Sequence, residues 1–142
     1  IDISPSFAPN GRQIVFNSDR GGTPQVYLMD IEGTNVRRLT FGAGDYSVSP
    51  RWSPRGDQIA FVGRLRGTFD IFLINPDGTG LIQLTSSSRH NEEPSWSADG
   101  RHILFTSTRN SQRHLYIMAA DGTNQRRLTK NGQENYLADW SP

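Results

Sequence analysis

Short apolar runs recur along this chain at a fixed interval. Ile14-Val15-Phe16, Ile59-Ala60-Phe61-Val62 and Ile103-Leu104-Phe105 form one series, and Val26-Tyr27-Leu28-Met29, Ile71-Phe72-Leu73-Ile74 and Leu115-Tyr116-Ile117-Met118 form a second. Neither alternates apolar with polar positions, so each run reads as a strand covered on both faces. Ahead of the first series stands a segment that opens on proline and closes in a turn: Ala8-Pro9-Asn10-Gly11, Ser53-Pro54-Arg55-Gly56 or Ser97-Ala98-Asp99-Gly100. Proline at the second position presets φ for a type I turn in two of the three copies, and the closing glycine accepts the left-handed conformation that follows. A second turn, Ile31-Glu32-Gly33-Thr34, Pro76-Asp77-Gly78-Thr79 or Ala120-Asp121-Gly122-Thr123, leads to a last segment ending Arg38-Leu39-Thr40, Gln83-Leu84-Thr85 or Arg127-Leu128-Thr129. Polar with one apolar anchor, this last segment suits an outermost strand that must not pair with a neighbour.

Four strands therefore make one unit, and the unit repeats. From Pro5 to Pro50 is 45 residues, from Pro50 to Pro94 is 44, and from Trp96 to Trp140 is again 44. A period in this range signals a repeat architecture. Helical repeats are excluded, because Gly and Pro punctuate the chain and no stretch carries the 3.6-residue period. The prediction is an all-β fold, a β-propeller of four-stranded antiparallel blades. Blades are expected at about 3–42, 47–86 and 91–130, with the start of a fourth at about 135–142. Three blades fall short of the roughly four to eight that close a propeller. The expectation is a piece of a longer protein, or two copies pairing head to tail into a six-bladed ring.

Composition adds little. The net charge of +1 and a 34% apolar content point neither to a disordered tail nor to a nucleic-acid binder. The absence of cysteine excludes disulfides and thiolate metal sites. No apolar run approaches the roughly 20 residues of a membrane span, so no membrane insertion is expected. Ile1-Asp2-Ile3 is neither an initiator methionine nor a signal sequence, and the chain reads as a mature piece or an excised fragment.

The pattern Pro-x-Trp-Ser-Pro-x-Gly at Pro50, Trp52, Ser53, Pro54 and Gly56, followed by Ile59-Ala60-Phe61, resembles the repeat of TolB-type β-propellers. So do Tyr27-Leu28-Met29-Asp30, Gly122-Thr123 and Arg126-Arg127-Leu128-Thr129. The resemblance covers essentially the whole chain. It implies a non-catalytic scaffold of a bacterial periplasm, six-bladed, that binds the lipoprotein Pal at the mouth of its central channel. Similar blades also serve as substrate-gating propellers of prolyl-oligopeptidase-like serine peptidases and occur in some polysaccharide lyases. Three places depart from the pattern: Phe7 replaces tryptophan, Ala138 replaces proline, and Gly63-Arg64-Leu65 replaces the Ser-x-Arg of Ser18-Asp19-Arg20 and Ser107-Thr108-Arg109.

No serine elbow, phosphate loop or His-Glu-x-x-His is present, so no catalytic residue and no cofactor is expected. Candidate binding residues precede Pro50, Pro94 and Ala138, at the start of what should be each blade's innermost strand. They are Asp45, Tyr46 and Ser47, then His90, Asn91, Glu92 and Glu93, then Asn135 and Tyr136. Such an acidic and aromatic rim suits a protein or peptide ligand, with tyrosines as anchors and carboxylates giving specificity. A single histidine beside Glu92 and Glu93 reads as solvated, not as a metal ligand. Trp52, Trp96 and Trp140 recur in every copy and read as packing residues. His102 and His114 read as structural, and Arg37-Arg38 and Arg126-Arg127 read as edge protection.

Overall fold

A computed structural model describes residues 1–86 and 89–130; Asn135, Tyr136, Trp140 and the rest of the fourth repeat lie outside them. Among the described residues every regular element is a strand. The first sheet holds β1 (Asp2–Phe7), β2 (Gln13–Ser18), β3 (Gln25–Asp30) and β4 (Arg37–Arg38). The second holds β5 (Tyr46–Trp52), β6 (Ile59–Leu65), β7 (Thr68–Ile74) and β8 (Ile82–Gln83). The third holds β9 (Asn91–Trp96), β10 (His102–Ser107), β11 (His114–Ala119) and β12 (Arg126–Arg127). Each is an antiparallel meander in chain order, so the predicted four-stranded blades are present. The predicted outermost strands are two residues long, and the arginine pairs at 37–38 and 126–127 are two of them.

The turns form as their sequences dictate. The N–H groups of Gly11, Gly56 and Gly100 donate to the carbonyls of Ala8, Ser53 and Ser97 at 2.9 Å, and each glycine has φ near +70°. A less obvious device repeats on the first strands. Ser4, Ser49 and Glu93, each just before a proline, have φ of 56°, 53° and 57°, and each sits where the pairing register slips. These are β-bulges, which bend a strand and re-aim its side chains.

Blades stack by inserting each first strand against the preceding sheet: β5 rests on β1, β2 and β3, and β9 rests on β5, β6 and β7. The second sheet divides its side chains accordingly. Ile59, Phe61, Phe72 and Ile74 join Val15, Val26, Leu28, Leu39 and Trp52 in one core, while Ala60, Val62, Ile71 and Leu73 join Leu84, Trp96, Ile103, Phe105, Tyr116 and Met118 in the next. This is why the middle strands do not alternate: both pleat faces are dry.

The Leu-Thr that ends every repeat has a cause that the linear pattern did not disclose. Thr40 Oγ1 accepts the Val26 N–H at 3.0 Å and donates to Gln25 Oε1 at 2.7 Å. Thr85 does the same with Ile71 N–H and Asp70 Oδ1, at 2.9 and 2.7 Å, and Thr129 accepts the Leu115 N–H at 3.1 Å beside His114 Nδ1 at 3.2 Å. His114 is thus buried and structural, whereas His102 is an exposed first residue of β10.

Candidate functional site

The described candidate residues sit at one end of the junction between the second and third blades, and the strand pleat decides which of them reach its surface. Tyr46, Ser47 and Asn91 to Glu93 lie within β5 and β9, not ahead of them. On β5 the alternation aims Tyr46 and Val48 to one side and buries Ser47, whose N–H donates to the Pro24 carbonyl at 2.8 Å. On β9 the alternation turns Asn91 inward, fully buried. Its Nδ2 donates to Asp70 Oδ1 at 2.9 Å, and its Oδ1 accepts from Arg109 Nη2 at 3.0 Å. The expectation that Ser47 and Asn91 belong to the binding rim is corrected on this point: both are buried and face the packed interior of the junctions. Glu92 and Glu93, by contrast, stay together despite being neighbours, because the bulge at Glu93 interrupts the alternation.

Around these residues the structure builds a cleft of about 310 Å³, lined by Tyr46, Val48, Ser49, Val62, Phe69, Glu92, Glu93 and Arg113. Phe69, at the start of β7, is its centre. Its ring meets Tyr46 edge-on with centroids 5.8 Å apart and lies 5.2 Å from the His90 ring, and its N–H donates to His90 Nδ1 at 3.3 Å. Three aromatic rings thus form one row, from β5 across β7 to the approach to β9.

Charges flank this row in pairs. Arg64 Nη2 and Nε reach Asp45 Oδ2 and Oδ1 at 2.9 and 3.2 Å, a bidentate pair, and the same guanidinium lies 5.2 Å over the Tyr46 ring. This hydrogen bonding holds the Asp45 carboxyl below the usual carboxylate range and Arg64 above the usual guanidinium value. Opposite, Arg113 bridges Glu92 Oε2 at 3.1 Å and Glu93 Oε2 at 3.7 Å, and Thr106 Oγ1 donates to Glu93 at 3.1 Å. Counting Asp45, Glu92 and Glu93 against Arg64 and Arg113 leaves one negative charge in excess. Among the described residues no three His, Asp or Glu side chains converge as a metal set.

Arg64, Phe69 and Arg113 were not candidates in the sequence, though each carried a trace. Pro24, Phe69 and Arg113 occupy one position of the repeat, immediately before the buried Gln25, Asp70 and His114, and that position changes character in every copy. Arg64 belongs to the blade that lacks Ser-x-Arg. In the other two, Arg20 and Arg109 hydrogen-bond Ser18 and Ser107 through Nε at 3.0 and 2.9 Å and lie over Phe16 with Tyr27 and Phe105 with Tyr116. Gly63 stands where those serines do, since a Cβ there would meet the Phe72 ring at 2.8 Å and the Ala43 carbonyl at 2.9 Å.

A family model described as the TolB beta propeller domain matches residues 1–142. Over 33 residues the chain is 52% identical to the Tol-Pal system protein TolB of Bordetella pertussis, a match spanning 23% of this chain and 8% of that protein. The crystal structure of TolB from Acinetobacter baumannii superimposes with a TM-score of 0.85 at 29% identity, over 97% of this chain and 34% of that one. The chain thus spans about a third of that TolB. Puromycin hydrolase superimposes over 99% of this chain and 24% of that one, with a TM-score of 0.77; at 15% identity this is a likeness of fold.

Proposed function

The chain belongs to the TolB β-propeller family, and from that premise we propose that it is a non-catalytic binding scaffold, taking a protein of the Pal lipoprotein type at the rim of its blades. The reading places it in the bacterial periplasm and has two copies associate to close the ring. One observation carries it: the row Tyr46, Phe69 and His90 runs beside Glu92, Glu93 and Arg113. This row is built where the repeats differ from one another. Positions shared by all blades are explained by turns, bulges and cores, so they need no ligand; Phe69 and Arg113 replace each other at a position the fold leaves free. Half-buried aromatics flanked by satisfied ion pairs are the composition of interface hot spots.

Calorimetric titration with the soluble domain of a Pal-type lipoprotein tests the proposal. Saturable binding is expected, and Phe69→Ala should weaken it about thirtyfold, corresponding to the loss of about 2 kcal/mol for a central anchor. Absence of binding heat at any accessible concentration would remove it.

A further inference from the structure

The two described junctions between successive blades differ at their turn end. At the second junction the side chain of Arg55, the residue before Gly56, crosses to the third blade. Its stem lies over Gly100, where an added Cβ would meet Arg55 Cγ, Cδ and Nε within 3.1 Å, and Nε donates to the Asp99 carbonyl at 2.8 Å. Asn10, the residue before Gly11, holds the same place at the first junction. It is too short to cross. Its Oδ1 accepts the Arg12 N–H at 3.0 Å within its own turn, and a Cβ on Gly56 would meet only Pro9, at 3.7 Å or more. A cleft of about 270 Å³ remains there, lined by Pro9, Gln13, Trp52, Gly56 and Pro76 among others.

We propose that this cleft is a binding site for an arginine side chain of a protein partner, lying over Gly56 as Arg55 lies over Gly100. The second junction is the template, and the first offers each of its contacts. The Arg55 carbonyl, counterpart of the Asp99 carbonyl, accepts no hydrogen bond among the described residues. Trp52 supplies an aromatic wall, and a guanidinium rests well on an aromatic ring, as Arg109 does on Tyr116 at 4.6 Å. The first junction is also the looser one: Trp52 Nε1 is buried with no acceptor among the described residues, while Trp96 Nε1 donates to the Arg51 carbonyl at 3.0 Å. Charge does not oppose a cation here. The Arg55 guanidinium is drawn off to the third blade, the exposed Asp57 follows Gly56, and Arg37, held on the Pro76 carbonyl, has the Asp77 carboxylate near it. Pro9 and Asn10 at the mouth are exposed, so a side chain enters while its backbone stays outside. Strand β5 runs from Tyr46 at the rim to Trp52 at this cleft, a separation of about 20 Å. The site is therefore independent of the lipoprotein surface proposed above.

Titration of the isotope-labelled full chain with N-acetyl-arginine methylamide, followed by amide and indole chemical shifts, tests this. Saturable shifts are expected at Gly56 and at the Trp52 indole, with Gly100 unmoved because Arg55 already lies over it. The lysine and citrulline counterparts of the probe should bind about tenfold more weakly or worse, since neither carries a charged planar fork. A blocked Gly-Arg-Gly peptide should bind no more weakly than the blocked arginine. Asn10→Arg should weaken the probe by a similar factor, its own side chain filling the site, whereas Asn10→Ala should leave binding intact. Arg55→Ala, with strand content unchanged by circular dichroism, should make Gly100 respond as Gly56 does. No saturable shift at Gly56, an equal response to the lysine probe or refusal of the peptide would overturn the inference. So would undiminished binding by Asn10→Arg or a silent Gly100 in Arg55→Ala.

Discussion

Asn91 donates to Asp70 across the junction of the second and third blades at 2.9 Å, both side chains buried, and this bond fixes β9 against the start of β7. Asp70 also accepts from Thr85 at 2.7 Å and from Gln83 at 3.3 Å, so the carboxylate is the hub of a buried polar network. Breaking such a network by truncation leaves buried groups unmatched. Asn91→Ala should therefore cost about 1–3 kcal/mol of stability, read as a lowered urea midpoint, while leaving ligand affinity near wild type. A loss of affinity without a loss of stability would return Asn91 to the binding surface.

The terminal threonines make a graded prediction. Thr85 is buried and satisfies both Ile71 N–H and Asp70, whereas Thr129 is half-buried and serves Leu115 N–H beside His114. Thr85→Val keeps the shape and removes the hydroxyl, for a cost of about 1–3 kcal/mol. Thr129→Val should cost less, and parallel urea melts of the two variants check the order.

Repeat consensus gives the wrong advice at one position. Gly63→Ser would restore the Ser-x-Arg of the other blades, yet its Cβ would lie 2.8 Å from the Phe72 ring and 2.9 Å from the Ala43 carbonyl. Overpacking of this kind costs about 1–3 kcal/mol. The variant should melt at a lower temperature than wild type; an unchanged or raised midpoint would show that the neighbouring chain yields.

How far these features could be read from the sequence depends on whether the repeat carries them. The turns at Gly11, Gly56 and Gly100, the covered second and third strands and the packing role of Trp52 and Trp96 were legible, because three copies agreed and each has a local physical cause. The rim was legible in part. Tyr46, Glu92 and Glu93 do reach a common cleft, but Ser47 and Asn91 turn away, since side-chain direction is set by pleat and bulge, not by position in the chain. Phe69 and Arg113 were hidden because they share a repeat position with no common residue type, at the start of β7 and just before β11, and their meeting with Tyr46 and Glu92 depends on how one blade lies on the next.

Acid should weaken the fold in a defined direction. Asp99 is held below its ordinary value of 3.8 first by the Ser97 hydroxyl and then by the Arg101 N–H, and Asp77 and Asp121 likewise by Thr79 and Thr123. Asp45 is lowered by Arg64. For carboxylates depressed on folding, the stabilisation is fully present above the unfolded value and disappears as pH falls through the lower native values. Urea midpoints should thus hold steady from neutral pH down to the ordinary carboxylate range and fall below it. Ser97→Ala should flatten that fall; a midpoint that rises on acidification would contradict the assignment.

The central claim is that the ligand seats on the junction rim, and amide chemical-shift mapping locates it most directly. Titrating the soluble domain of a Pal-type lipoprotein into isotope-labelled chain should perturb Tyr46, Phe69, His90, Glu92 and Glu93 first and most, with the outer strands at Arg37–Arg38 and Arg126–Arg127 unmoved. Perturbations confined to those outer strands, or none at saturating ligand, would contradict it.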